Sequence, residues 1–312
     1  MSHALPFALP LDPQPGGLAL HGWRFVSGNP GPKVLLTGAL HGDEITATAA
    51  LWHLADHLRA HPPTAGELTL IPCANPFGAQ LSSRNVPLEN TNINRVFPGL
   101  PDGTLAERTA HRLARLLDTH DALIDVHTAG WCVPFVIIDP IADPALEGRT
   151  LAWAETLGWP VTGELPGPNL ALQGLDRCWT GYALSRQKPA FVLELVGFHT
   201  LDGPCAREAA RRLALTLPRL PTTAPARPLA TTRAEVYADR SGLFEALKRP
   251  GDTLAKGECV GIIYNLTTGE VVQCVAAPAD GLLLYVNPVS AVHVGGHLFT
   301  QTQPTLKVDS PI

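Results

Sequence analysis

The chain has 312 residues, 45% of them hydrophobic, and a formal net charge of −5; its mean hydropathy is +0.09. That is enough apolar chain to bury one large core, or one large core and a small one, and too much for a disordered protein. The acidic balance gives no basic footprint for nucleic-acid binding, and no apolar run approaches the roughly 20 residues of a membrane helix.

The first residues, MSHALPFALPLDPQPGG, have no positive stretch and are interrupted by prolines, which argues against a secretion signal. One strand-like segment at 22–27 suits an edge strand or hairpin. From Lys33 apolar strands alternate with amphipathic helices. Residues 33–40 read as a buried strand. The next helix sets Ala47, Leu51, Leu54 and Leu58 on one face until Pro62 and Pro63 stop it. A second strand covers 67–73. Residues 75–104 form a long polar stretch with few periodic apolar residues, and a loop of that length in a compact domain is usually functional. A helix carrying Leu105, Thr109, Leu113 and Leu116 follows, then strands at 122–127 and 135–138 and a helix near 144–157. An apolar run at 191–196 is broken only by Glu194, and a helix at 205–217 ends the series. The alternation predicts an α/β fold: a mixed, mostly parallel sheet with helices on both faces.

Residues 218–232, a Pro/Thr/Ala linker, divide this part (1–217) from a C-terminal all-β part (233–312). The latter repeats weakly at an offset of about 39 residues, which suggests a pseudo-symmetric β-sandwich. AAPADG at 276–281 resembles the barrel-sandwich of biotinyl and lipoyl carriers. Carriers need a lysine on the hairpin between the halves, and YNLTTG at 264–269 has none, so no covalent cofactor is expected. The six cysteines, Cys73, Cys132, Cys178, Cys205, Cys259 and Cys274, form no CxxC pair. They read as buried free thiols of a cytoplasmic protein.

Candidate chemistry gathers at strand ends. LLTGALHGDE at 35–44 reads as a strand, a turn and a helix start, with His41 and Glu44 able to face one point, as two ligands of a divalent zinc ion do. LIDVHTAG brings His127 to the same sheet edge, two residues after Asp125, where open α/β sheets collect ligands. Glu194 inside FVLELVG costs several kcal/mol of desolvation unless a cation or proton offsets it. On the polar loop, Arg84 and Arg95 could grip a carboxylate. Two imidazoles, one carboxylate and an open fourth position make a hydrolytic zinc site, with a further carboxylate to deprotonate water on the metal.

His41-Gly-Asp-Glu44, the Asn75-Pro-Phe start of the loop, Arg84, Asn94-Arg95-Val-Phe-Pro-Gly99, Asp125-Val-His127 and Glu194-Leu-Val-Gly197 together resemble the ordered motifs of the succinylglutamate desuccinylase and aspartoacylase family. These are zinc carboxypeptidase-like deacylases, and the likeness spans residues 33–305. It implies one Zn2+ per chain on His41, Glu44 and His127. It makes Glu194 the general base and then proton donor, Arg84 the group that polarises the scissile carbonyl, and Asn94 and Arg95 the holders of the substrate carboxylate. Asp125 would orient a ligand or the loop from behind.

Two positions depart from the pattern. Asn92 stands where the family commonly has aspartate, and Tyr182 or Ala183 stands near where aspartoacylases carry an arginine for a second carboxylate. An N-acyl amino acid with a neutral or basic side chain therefore fits at least as well as a dicarboxylic one. The expected partner is that small molecule, with no nucleic acid or membrane and a homo-oligomer compatible with the composition. Two other readings compete: a metallocarboxypeptidase of short peptides, and a carrier module with a dead hydrolase attached, which would be modified on Lys248 or Lys256. Tyr264 and Tyr285 are candidates to reach the site from the β part.

Overall fold

The computed structural model describes residues 4–11, 17–164, 174–197 and 199–305. In chain order the elements are β1 (Ala4–Pro10), β2 (Ala19–Val26), β3 (Lys33–Gly38), α1 (Ile45–Ala60), β4 (Glu67–Ile71), α2 (Pro76–Gln80), α3 (Leu105–Leu117), β5 (Ala122–Cys132), β6 (Phe135–Ile138), α4 (Pro144–Glu155) and β7 (Val161–Gly163). They continue with α5 (Trp179–Ser185), β8 (Ala190–Val196), α6 (Gly203–Thr216), β9 (Thr231–Tyr237), β10 (Gly242–Ala246), β11 (Thr253–Leu254), β12 (Cys259–Tyr264), β13 (Val271–Ala276), β14 (Gly281–Val286), β15 (Ala291–Val292) and β16 (His297–Pro304). No helix among the described residues is long and apolar enough to cross a membrane.

The large sheet runs β1-β2-β4-β3-β5-β8-β6-β7-β9-β16-β14-β11. Its centre, β4-β3-β5-β8, is parallel throughout; β6 joins β8 antiparallel, β6-β7-β9 pair parallel again, and the β1, β2 edge is antiparallel. The sheet is therefore mixed, and its central parallel strands are the ones whose runs are apolar on both faces. Leu36, Ile124 and Phe191 pack under α1, α4 and α6 on one face. Leu35, Leu123 and Ala190 pack under α3 and α5 on the other.

The 75–104 stretch is packed rather than open. Asn75 caps α2, its side-chain oxygen accepting from Gly78 N at 2.9 Å. The Glu89 carboxylate accepts the Leu105 and Ala106 amides that open α3, satisfying donors that a helix start leaves unpaired. Phe97 stacks on the fully buried Trp179 with centroids 4.4 Å apart, a contact worth about 1 kcal/mol beyond its buried area.

Beyond residue 230 the chain returns to the same sheet. Strand β9 pairs with β7 at Gly163↔Thr232 and along its length with β16. Strand β14 pairs with β16 on one side and with the far end of β5 on the other, through Tyr285↔Cys132 and Val286↔Trp131. The strands β5-β8-β6-β7-β9-β16-β14 thus close on themselves. This needs β5 to run to Cys132, five residues past the expected end. A second sheet, β13-β12-β10-β15, packs over Phe244, Ile263, Val275, Leu283 and Phe299. The repeat is visible as β10 and β14 in opposite sheets, each pairing with the short strand that follows the other: β15 on β10 and β11 on β14.

One pairing was not visible in the chain. Cys259 and Cys274 face each other with their Cα atoms 6.3 Å apart, while Cys73, Cys132, Cys178 and Cys205 stand apart from any other cysteine. The two residues lie on the paired strands β12 and β13. That adjacency follows from the hairpin, and their spacing along the chain does not reveal it.

Candidate active site

Strand β3 ends at Gly38, and the chain turns through Ala39 (φ +48°) to His41 before α1 begins. Gly42 has to be glycine: a Cβ there would meet the Gly78 carbonyl carbon at 2.1 Å, so this turn and α2 are in backbone contact and the Arg84 loop lies beside His41. Glu44 occupies the N-cap of α1, yet its side chain makes no capping bond. It turns to the site instead, with Oε1 2.7 Å from His41 Nδ1 and Oε2 2.7 Å from His127 Nδ1. The two Nδ1 atoms are 3.1 Å apart. One ligand atom from each of the three residues can be chosen so that all lie within 4.8 Å of one another, and all three residues are buried.

The opposite nitrogen of each ring explains why the pair fits a cation. Asn92 Oδ1 accepts from Asn94 N at 2.9 Å and faces His41 Nε2 at 3.2 Å. Asp125 Oδ2 takes His127 Nε2 at 2.7 Å. Thr37 Oγ1 donates to Asp125 Oδ1 at 2.7 Å and accepts from Trp179 Nε1 at 3.1 Å, fixing the carboxylate. Each imidazole is thereby set with its N–H turned outward and a lone pair turned toward Glu44, the arrangement in which histidine binds a metal. Burial pushes His41 down to about 4, with Arg84 adding to the shift against Glu44, so the ring is neutral. Burial also pushes His127 down, but Asp125 and Glu44 overrule it and hold a proton well above the usual histidine range. A metal ion bound on the Nδ1 side would displace any proton held there.

Glu194 is the parallel-ladder partner of His127, so both side chains project to the same face. Burial raises its carboxyl to about 7, with His127 pulling it down and Glu44 pushing it up. Arg84 donates from Nη1 to Glu44 Oε1 at 3.1 Å. Asn94 is buried and gives its oxygen to Trp179 N at 2.7 Å, while the Arg95 guanidinium donates to the Asn94 carbonyl at 2.7 Å. All seven expected residues, His41, Glu44, Arg84, Asn94, Arg95, His127 and Glu194, line one cavity of about 370 Å³.

The closed run of strands forms the wall of that cavity. Residues two apart on successive strands face it, as strand alternation requires: His127 and Ala129 on β5, Val192 and Glu194 on β8, Ile137 and Asp139 along β6, Arg233 and Glu235 on β9. Of the two tyrosines, Tyr285 lines the cavity, stacked on His297 at 5.3 Å. Tyr264 bonds Glu245 on the outside.

Residues 30–218, more than half of the chain, match the succinylglutamate desuccinylase/aspartoacylase catalytic domain. The chain belongs to that family. Its sequence is 27% identical over 284 residues to the N-alpha-acetyl-L-2,4-diaminobutyric acid deacetylase of Halomonas elongata, covering 85% of this chain and 80% of that one. Its fold superposes on a succinylglutamate desuccinylase/aspartoacylase from Rhodobacter sphaeroides with a TM-score of 0.80 and 26% identity, over 98% of this chain and 96% of the other. A metallo-carboxypeptidase from Burkholderia cenocepacia shares the fold at a TM-score of 0.55 and 13% identity, over 69% and 63% of the two chains.

Against the family pattern, Asn92 stands at the position commonly held by aspartate, and its amide oxygen still meets His41. Sequence reading marked it as a departure and missed this contact, which only the loop's return to His41 reveals. The aspartoacylase-type arginine has no replacement from the nearest candidates. Arg177 is spent on the Val96 and Phe97 carbonyls, and Arg186 does not line the cavity. Substituting either orienting group, Asn92→Ala or Asp125→Asn, is expected to weaken metal binding roughly 10–100-fold. Competition with a chromogenic chelator checks this, and an unchanged affinity in both variants would mean that the rings are oriented by other contacts.

Proposed function

We propose that this family member is a zinc-dependent amidohydrolase that removes a small acyl group from the nitrogen of an amino acid. The observation that carries the reading is the convergence of His41, Glu44 and His127 at one cavity shared with Glu194 and Arg84. Those three residues would hold the ion. When bound, zinc supplies a Lewis acid for the amide carbonyl and makes a water acidic enough to lose a proton near neutral pH. Glu194 takes the proton of the attacking water and returns it to the departing amine nitrogen, two tasks suited to a carboxyl raised to about 7. Arg84 donates to the carbonyl oxygen as it becomes anionic, worth roughly 3–4 kcal/mol in the transition state. The Asn94 amide and the Arg95 guanidinium bind the substrate carboxylate.

We read residues 1–217 as the catalytic part, joined through 218–232 to a barrel-sandwich-like part, 233–312, whose strands complete the wall. Closure of the strands around the cavity supports a small substrate over a peptide. Turnover of a panel of N-acetyl amino acids against tripeptides, with zinc present, tests this. N-acetyl amino acids should be preferred by about 100-fold or more in kcat/KM, whereas preferential cleavage of tripeptides would make the protein a carboxypeptidase.

A further inference from the structure

We propose that the outer face of the second sheet is where two copies of this chain pair, face to face across a twofold axis. The inference does not depend on the deacylase reading and concerns a surface apart from the catalytic cavity.

An antiparallel sheet with one covered face ordinarily turns polar residues to water on the other. The sheet β13-β12-β10-β15 packs its inner face over Phe244, Ile263 and Val275. Its outer face is apolar as well. Residues directly opposite one another on paired strands share a face, and the register gives one row, Ala291, Leu243, Tyr264 and Val271, that crosses all four strands. A second row sets Ile262 between Glu245 and Cys274. Leu243 is 43% exposed and Val271 59%. Glu245 is the one charged residue in the two rows, and it accepts the Tyr264 hydroxyl at 2.9 Å. Lys248, past the end of β10, is paired with Glu258. The middle of the face is thus apolar and charge stands at its border, the layout of a protein interface.

Beside the first row the surface dips into a hollow of about 660 Å³, lined by Leu243, Tyr264, Val286 and Pro288 and by Trp131, which is 43% exposed. An exposed indole and a hollow on one patch suit a twofold contact, in which each copy supplies both halves of the fit. Four strands about 4.8 Å apart and five residues rising about 3.4 Å each give a face of roughly 19 by 17 Å. With the hollow, two copies would cover about 1,000–1,200 Å² in total, the lower range for a stable interface, which suits a dimer of micromolar affinity. Charge favours a second copy over a charged partner. The chain carries a net −5, and this nearly uncharged face lets two such chains meet with little repulsion. The hollow and the catalytic cavity have no lining residue in common among those described, so pairing here does not draw on the site.

Sedimentation equilibrium of the full chain, from about 1 to 200 µM, tests this. The wild type should dimerise with a dissociation constant of about 1–50 µM. Leu243→Lys and Ala291→Lys each set two unpaired ammonium groups in the contact, and each should weaken it about 100-fold or more. Trp131→Ala should weaken it about 10-fold or more. Trp52→Lys, which alters an exposed tryptophan on α1, should leave the constant within about threefold. Circular dichroism checks the fold of each variant, and the others decide where one does not fold. A wild type that stays monomeric throughout the range leaves the face to some other chain and overturns the proposal. So does an assembly that persists unweakened in the face variants, or one that Trp52→Lys disrupts as strongly as they do.

Discussion

Glu194→Gln is expected to lower kcat about 10³- to 10⁴-fold while the protein keeps its metal and its fold, because the amide retains the carboxylate's shape and cannot accept the proton. The wild type should also lose activity as the pH falls. Glu194 must be ionised to act, and burial holds its carboxyl at about 7; a divalent cation beside it pulls that value down, so the acid limb of kcat/KM lies at or below about 7. The limb should vanish from the residual activity of the variant. A variant within tenfold of wild type, or one retaining the same limb, would remove Glu194 from the chemistry.

Glu44→Gln should cost the metal itself. The carboxylate stands between both imidazoles and also accepts from Arg84 and from Thr128 N at 3.1 Å. Burial alone would push its carboxyl up, yet His41 and His127 hold it well below the usual range. The amide keeps the size and loses the anion. One of three protein ligands lost from a zinc site corresponds to roughly 3–4 kcal/mol, a factor of about 10²–10³ in affinity. Activity should fall in parallel and recover partly when zinc is supplied in excess. Failure of added zinc to restore any activity, with metal retained, would assign Glu44 a role other than binding.

Much of this was legible in the chain because it is local. The His41 turn, the placement of His127 two residues beyond Asp125, and the isolated charge of Glu194 in an apolar strand each announce a function within ten residues. The parallel centre of the sheet then brings them together, and the ladder sets His127 beside Glu194. What escaped is non-local. The run of β5 to Cys132 and its pairing with β14 depend on strands more than 150 positions apart, and with them go the closed wall and the choice of Tyr285 over Tyr264. Asn92 reached His41 through the fold of a long loop. The Cys259–Cys274 pair depends likewise on strand adjacency.

The most direct measurement is elemental analysis of wild type and Glu44→Gln after exhaustive dialysis against metal-free buffer, with activity assayed on the same samples. About one zinc per wild-type chain and little in the variant is the expected result. Full activity of a wild-type protein that holds no metal, undiminished by a strong chelator, would contradict it.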